Sequence, residues 1–214
     1  MRNTSIASAR GLTKKSVQKE GFTTQKIVIT GVMAALSFVA YEFFRIPNVF
    51  GTGASFHLGN TFTALTALLL DGVCGGFAGA IGLSMADIIA GDPGYAVSTF
   101  LLKFIIGIVC GLFAHKVFRL RDLSPRSTPR GKYVAAVAGS AASGLLLNVL
   151  TDPVIGYFRD RFIFGMPVEF VKYAVKIAGG VTFVNSVLST ICVVVIYLAV
   201  RPALESSGLL GHGE

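Results

Sequence analysis

Residues 67–87, ALLLDGVCGGFAGAIGLSMAD, form two apolar runs separated only by Asp71-Gly72. So short a polar interruption predicts a tight helical hairpin. The second run contains glycines three and four residues apart: Gly72, Gly75, Gly76, Gly79 and Gly82. This spacing lets helix backbones approach closely in lipid. A phosphate-binding glycine loop is excluded, because the run lacks a Lys-Ser/Thr ending and lies within an apolar segment.

The whole chain of 214 residues is rich in such segments. Hydrophobic residues make up 53% and charged residues 14% of it, which excludes an ordinary soluble domain. Six apolar segments cover roughly 27–44, 57–70, 73–90, 97–115, 133–151 and 174–200. The second is short for a full crossing, so a re-entrant hairpin is the alternative there. We predict an all-α integral membrane protein, a bundle of six transmembrane helices.

Basic residues flank these segments unevenly. If the N-terminus is inside, that side collects Arg2, Arg10, Lys14, Lys15, Lys19, Lys26, Lys116, Arg119, Arg121, Arg126, Arg130, Lys132 and Arg201. The other side has only Arg45, Arg159, Arg161, Lys172 and Lys176. This positive-inside bias predicts that both termini are cytoplasmic. It also explains the net charge of +8 better than nucleic-acid binding does.

The predicted organisation is one membrane domain, residues 27–201, between a polar cytoplasmic leader, 1–26, and a short cytoplasmic tail, 202–214. The leader has no apolar core and is not expected to be a cleaved secretory signal. Cys74, Cys110 and Cys192 each lie in an apolar segment. Their odd number and spacing favour packing over a disulfide framework or a metal site. We expect no metal and no cofactor.

Polar side chains in the apolar segments share one depth, near the predicted outer ends. Such residues are expensive in lipid and are therefore candidates for a functional site. The predicted substrate-binding set is His57, Asn60, Asp87, Thr99, Lys103, Asn148 and Asn185. We expect these residues to line one cavity that opens outward and captures a small polar molecule.

Most of these candidates could instead have a purely structural role. Asp87 and Lys103 could form an ion pair with each other. His57 could cap a helix, and Asn148 and Asn185 could be hydrogen-bonding contacts between helices. Glu42 and Asp152, at the same depth, could be interfacial. No enzyme is predicted, because the Gly-x-Ser at 82–84 has no nearby base and no other catalytic set is present.

Several motifs occur in a distinctive order: FHLGN at 56–60, ALLLDGVCGG at 67–76, GAIG at 79–82, ADIIAG at 86–91 and STFLLK at 98–103 with Gly107. Over roughly residues 27–200 the chain resembles the S components, the substrate-binding subunits, of energy-coupling-factor (ECF) transporters. It looks most similar to the branch linked to hydroxymethylpyrimidine, pyridoxine, queuosine precursors and riboflavin.

The resemblance implies a multi-pass protein of the prokaryotic plasma membrane that binds a vitamin or precursor from outside. It also implies a membrane-embedded T subunit and two ATPase subunits as partners, which would use the ATP. The family contacts its T subunit through Ala-xxx-Ala on the first helix. The nearest equivalents here are Thr30-xxx-Ala34 and Gly31-xxx-Ala35. The resemblance further implies that the loop 46–56 caps the site.

Two other functions compete with this one. A membrane assembly protein without a ligand would also suit glycine-rich packing and interfacial charges. A stand-alone transporter would need polar residues through the inner halves of the helices as well, and the sequence has few there.

Overall fold

The computed structural model describes residues 23–47, 52–123 and 127–207. Most of the predicted leader, part of the loop after the first helix (48–51), Arg126 and residues 208–214 lie outside the described residues. Six α-helices are present: α1 Thr24–Phe43, α2 Gly59–Leu69, α3 Gly72–Ile89, α4 Ala96–Leu112, α5 Arg130–Phe158 and α6 Val168–Ser206.

Short elements join the helices. Strands β1, Ile46–Pro47, and β2, Ser55–Phe56, pair antiparallel in the loop between α1 and α2. Single 3-10 turns cover Pro93–Tyr95 and Leu120–Asp122. Single π-helical turns continue α4 and α5 over Phe113–Val117 and Arg159–Ile163.

Within the described residues, five helical segments are long and apolar enough to cross a membrane: Thr24–Phe43, Gly72–Ile89, Pro93–Val117, Arg130–Ile163 and Val168–Leu204. The prediction of an all-α membrane protein is therefore confirmed. The sixth segment, α2, has only 11 residues, about 16 Å of helix against a hydrocarbon core of about 30 Å. The count of six crossings stays a prediction.

Helix α2 forms the centre of the bundle. Ten of its 11 residues are buried, so α2 is enclosed by protein on every side. Its Leu65 and Leu68 pack in a cluster with Ile106 of α4, Leu145 of α5 and Val193 of α6. Because α2 presents almost no surface to lipid, it can be short and can carry polar residues that a lipid-facing helix could not.

Polar contacts join alternate helix ends at one end of the bundle. Asp71 caps α3 by accepting from the Cys74 amide at 2.9 Å, and it pairs with Lys26 of α1 at 3.2 Å. The Arg121 guanidinium donates to the Leu70 carbonyl at 2.6 Å. We call this the Asp71 end. Here α1, α3 and α5 begin and α2, α4 and α6 end, so successive helices run in opposite directions.

Arg201 fixes the last helix at the same end. Its buried guanidinium donates to the Leu120 carbonyl at 2.7 Å and to the hydroxyls of Tyr133 and Tyr197 at 3.0 and 2.9 Å. These hydrogen bonds tie α6 to α5 and to the connection before it. The cost of burying this charge is offset by three acceptors.

The predicted ends of the last two helices were wrong. The last two apolar segments of the sequence covered only about 133–151 and 174–200. Instead α5 runs to Phe158 with Pro153 inside it, and α6 begins at Val168 and includes Pro202. Proline removes one helical hydrogen bond, but packing can retain the helix. Here the Pro153 ring lies against α6 near Gly179.

Helices α3 and α4 meet backbone to backbone. A Cβ added at Gly107 of α4 would collide with the backbone of Gly75 and Gly76 in α3, and one at Gly111 would collide with Gly72. The predicted close approach at small-residue spacing is present, and it brings α3 and α4 into contact along much of their length.

Gly107→Ala tests this contact. The added methyl group has no room beside the backbone of Gly76, so the two helices must separate. We expect a loss of about 1–3 kcal/mol, measured as a lower unfolding temperature in detergent. Gly180→Ala in α6 is the matched control, because its methyl would meet no atom within 4 Å. Equal unfolding temperatures for the two variants would contradict the contact.

Candidate functional site

A cavity of about 120 Å³ lies at the end of the bundle opposite Asp71, where α2 begins. All seven residues of the predicted substrate-binding set line it: His57, Asn60, Asp87, Thr99, Lys103, Asn148 and Asn185. They come from the loop before α2 and from α2, α3, α4, α5 and α6. The structure therefore brings the whole set together; whether these residues bind a ligand stays a prediction.

Two amide oxygens in the cavity wall lack partners among the described residues. The side chains of Asn60 in α2 and Asn148 in α5 are each 1% exposed. The Oδ1 atom of each accepts no hydrogen bond from any described residue. Leaving a buried polar atom unsatisfied costs about 1–3 kcal/mol. Two such atoms beside one cavity suit a ligand that supplies the missing partners.

Asp87 and Lys103 are both buried, with 8% exposure each. Among the described residues, no ion pair within 4.0 Å joins them. The Asp87 carboxylate accepts a long hydrogen bond of 3.5 Å from the Tyr41 hydroxyl, and its other oxygen has no described partner. The alternative that these two residues form a structural ion pair is not observed.

His57 is the last residue of the loop 52–57, which forms part of the cavity wall. Its Nδ1 accepts from the Gly59 amide at 3.2 Å, and its ring packs against Tyr41 at 4.8 Å. Burial, followed by the charges of Lys103 and Arg45, lowers the pKa of His57 to about 3. The imidazole is therefore neutral at pH 7, and because Nδ1 accepts, Nε2 carries the proton.

Asn185 of α6 holds the same loop. Its Oδ1 accepts from the His57 amide at 3.1 Å and its Nδ2 donates to the Ser55 carbonyl at 2.9 Å. Arg45 holds the other side by donating to the Ser55 hydroxyl at 3.2 Å. Residues 52–57, which we call the cover loop, are thus attached to α6 and to the end of α1.

Three further residues at the site were not predicted from the sequence. Tyr41, Tyr95 and Arg159 line the cavity or its edge. The Arg159 guanidinium lies 4.0 Å from the Tyr95 ring centre, donates to the Ser98 hydroxyl and pairs with Asp160 at 2.8 Å. Arg159 was counted only as a flanking charge, because the continuation of α5 to it was not foreseen.

Asp152 and Glu42, which could be interfacial by sequence, differ in their position relative to the cavity. Asp152 lines the cavity, where its carboxylate accepts from the Thr182 hydroxyl at 2.6 Å. Glu42 is not among the lining residues, although one of its carboxylate oxygens is buried without a described partner. The signal for Asp152 was its position four residues after Asn148, on the same face of a helix.

The predicted partner-contact residues lie elsewhere, on an apolar groove between α1 and α3. Its lining includes Thr30, Gly31, Ala34 and Ala35 together with Phe38, Phe77, Ile81, Gly82 and Met85. Thr30 and Ala34 are buried, and Gly31 and Ala35 are exposed. We call this surface the α1–α3 groove.

Asn185→Ala tests the attachment of the cover loop. Without the amide, the His57 N–H and the Ser55 carbonyl lose their partner on α6. We expect faster amide hydrogen exchange across residues 52–57, measured by mass spectrometry at constant pH. Asn148→Ala is the control, since it truncates an equally buried amide that does not hold the loop. Unchanged exchange in Asn185→Ala would show that Arg45 and packing suffice.

Comparison with known proteins agrees with this architecture. The family model described as ECF-type riboflavin transporter, S component, matches residues 21–202. No curated protein and no solved structure matches the chain. The match confirms the resemblance noted from the sequence at the level of the family. The chain belongs to the S components of ECF transporters, the substrate-binding subunits through which these membrane systems take up vitamins.

Proposed function

We propose that this protein captures a small heterocyclic vitamin or vitamin precursor from outside a prokaryotic cell, in the cavity beneath the cover loop. A T subunit and two ATPase subunits then drive its import. The observation that carries the proposal is the cavity itself, where buried amide oxygens from two helices have no described partner and lie beside Asp87 and Lys103, which form no described ion pair. Riboflavin, named in the family description, is the first ligand to test.

The charges at the two ends support one orientation in the membrane. Lys26, Lys116, Arg121, Arg130 and Arg201 lie near the Asp71 end, where α1, α3 and α5 begin and the other helices end. Arg119 and Lys132 lie toward the same end, which makes seven described basic residues there, whereas five flank the cavity end: Arg45, Arg159, Arg161, Lys172 and Lys176. The positive-inside rule therefore supports an inward-facing Asp71 end, cytoplasmic termini and an outward cavity. In this arrangement α2 makes a sixth, protein-enclosed crossing.

Aromatic residues suit a flat ring. Tyr41 and Tyr95 stand at the cavity wall, beside the cover loop and the Arg159 guanidinium. Flat heterocycles gain from packing against such rings, while side-chain amides define their orientation. The neutral His57 offers an Nε2 donor at the same level.

The apolar cluster below the cavity argues against a stand-alone transporter. One turn further toward the Asp71 end, Lys103 is followed by Ile106, and Asn148 is preceded by Leu145. Both apolar residues are fully buried in the core cluster. A solute would have to displace this packing to cross, which suits a subunit that relies on partners. An assembly protein without a ligand remains the other alternative.

The deciding experiment combines binding and transport. The full-length chain in detergent is titrated with water-soluble vitamins and precursors while its unfolding temperature is followed. It is then reconstituted in liposomes with and without a T subunit and ATPases. We expect saturable stabilisation by one heterocycle and uptake only with the complete complex and ATP. Uptake by the chain alone would favour the stand-alone transporter, and no stabilisation would favour the assembly protein.

Asn60→Ala and Asn148→Ala should each weaken binding of the stabilising ligand. Removing one hydrogen bond of about 0.5–1.5 kcal/mol corresponds to a two- to tenfold higher Kd. The measurement is equilibrium binding to the purified chain. Ser140→Ala is the control, because Ser140 is buried in α5 away from the cavity and donates to the Ala136 carbonyl of its own helix. Unchanged affinity in both amide variants would remove them from the site.

Gly31→Leu tests the proposed docking surface. Gly31 is exposed on the α1–α3 groove and has free space around it, so a larger side chain would obstruct a partner helix without disturbing the fold. We expect ligand binding to persist, while copurification with the T subunit and ATP-driven uptake fall at least tenfold. Gly180→Leu makes the same change at an exposed, uncrowded position in α6. Equal uptake by both variants would contradict docking at this groove.

A further inference from the structure

The charged side chains that line the cavity are unequal in number. The described lining contains two basic and four acidic residues: Lys103, Arg159, Asp87, Asp92, Asp152 and Asp160. Two of the carboxylates have cationic partners. Arg159 pairs with Asp160 at 2.8 Å, and Arg45 reaches Asp92 from outside the lining at 3.8 Å.

The remaining three charges are Lys103, Asp87 and Asp152. No ion pair within 4.0 Å joins any two of them in the part of the chain that the structure describes. Neutral hydroxyls donate to both carboxylates: the Tyr41 hydroxyl to Asp87 at 3.5 Å and the Thr182 hydroxyl to Asp152 at 2.6 Å.

Lys103 lines the same cavity as both carboxylates. When all three groups are ionised, one ammonium group balances one carboxylate, and one negative charge is left in excess. Uncompensated charge is costly where water is scarce, as it is inside a membrane bundle. The cavity wall therefore favours an occupant that brings positive charge.

We infer that the ligand carries a basic nitrogen group, a protonated amine or amidine, that donates to Asp87 and Asp152, and an acceptor atom that faces Lys103. This inference rests on the proposed function and narrows its substrate class. Charge-assisted hydrogen bonds of this kind are about twice as strong as neutral ones. The unpartnered Oδ1 atoms of Asn60 and Asn148 would accept hydrogen bonds from the remaining polar edge. A neutral flavin ring would leave the excess charge unbalanced.

Matched ligand pairs test the inference on the full-length chain. Pyridoxamine and pyridoxine share one ring and differ by an aminomethyl against a hydroxymethyl group. Benzamidine and benzamide differ by an amidine against an amide, and riboflavin serves as a neutral flavin. Equilibrium binding is measured at pH 7 in detergent. We expect the basic member of at least one pair to bind at least tenfold more tightly than its neutral partner and more tightly than riboflavin.

Asp87→Asn should remove most of this preference, because it keeps the shape and the contact with Tyr41 but loses the charge. Asp122→Asn, an exposed carboxylate near the Asp71 end, should retain it. The inference is overturned if the neutral members or riboflavin bind as tightly as the basic ones, if no basic member binds, or if Asp87→Asn keeps the preference. Equal binding would indicate that one of the two carboxyls carries a proton.

A transport assay distinguishes failure of the basic-nitrogen inference from failure of the proposed uptake function. ATP-driven uptake of a neutral vitamin by the complete complex would overturn the basic-nitrogen ligand and leave the proposed function intact. Absence of uptake for every vitamin would overturn the function as well.

Discussion

The burial of α2, at ten of its 11 residues, is the constraint on which the rest of the structure depends. A segment of 11 residues cannot satisfy a bilayer by itself, but surrounded by five longer helices it needs no lipid-facing side. Its first turn can then hold Asn60, which would be costly against lipid. Its last turn is held by Arg121, which donates to the Leu70 carbonyl, and by His115, whose Nε2 lies 2.9 Å from the Ala67 carbonyl. The α2 helix is thus held by hydrogen bonds at the Asp71 end and carries a polar residue, Asn60, at the cavity end.

Close packing of the surrounding helices follows from the same constraint. Five long helices can enclose a short one only if their backbones approach each other, and glycine permits that approach at Gly107 against Gly76. At Gly82 the fit with α1 is equally tight, because an added Cβ would collide with the Ala34 carbonyl. This contact buries Ala34 and leaves Ala35 on the open side of the α1–α3 groove. Close approach of helix backbones at small residues therefore accounts for both the α1–α3 groove and the enclosure of α2.

Much of this arrangement could be predicted from the sequence, since membrane burial imposes simple rules. Apolar length located the helices, and the rarity of polar residues in lipid identified the seven residues that meet at the cavity. Helix ends were harder to predict, because Pro153 reads as a stop unless its packing against α6 is known. The position of Arg159 at the cavity depended on that continuation. The hydrogen bonds from Asn185 to the cover loop are contacts across more than 100 residues, and no local pattern encodes them.

Asn185 has a different role from Asn60 and Asn148. Asn185 holds the cover loop, whereas Asn60 and Asn148 are free to recognise a ligand. Asn185 uses both ends of its amide on the backbone of the cover loop, so it stabilises the covered state whether or not a ligand is present. Asn60 and Asn148 each leave an oxygen without a described partner in the covered state. These unsatisfied oxygens raise the free energy of the covered state. A ligand that satisfies them lowers the free energy of the covered state, so binding and closure favour each other.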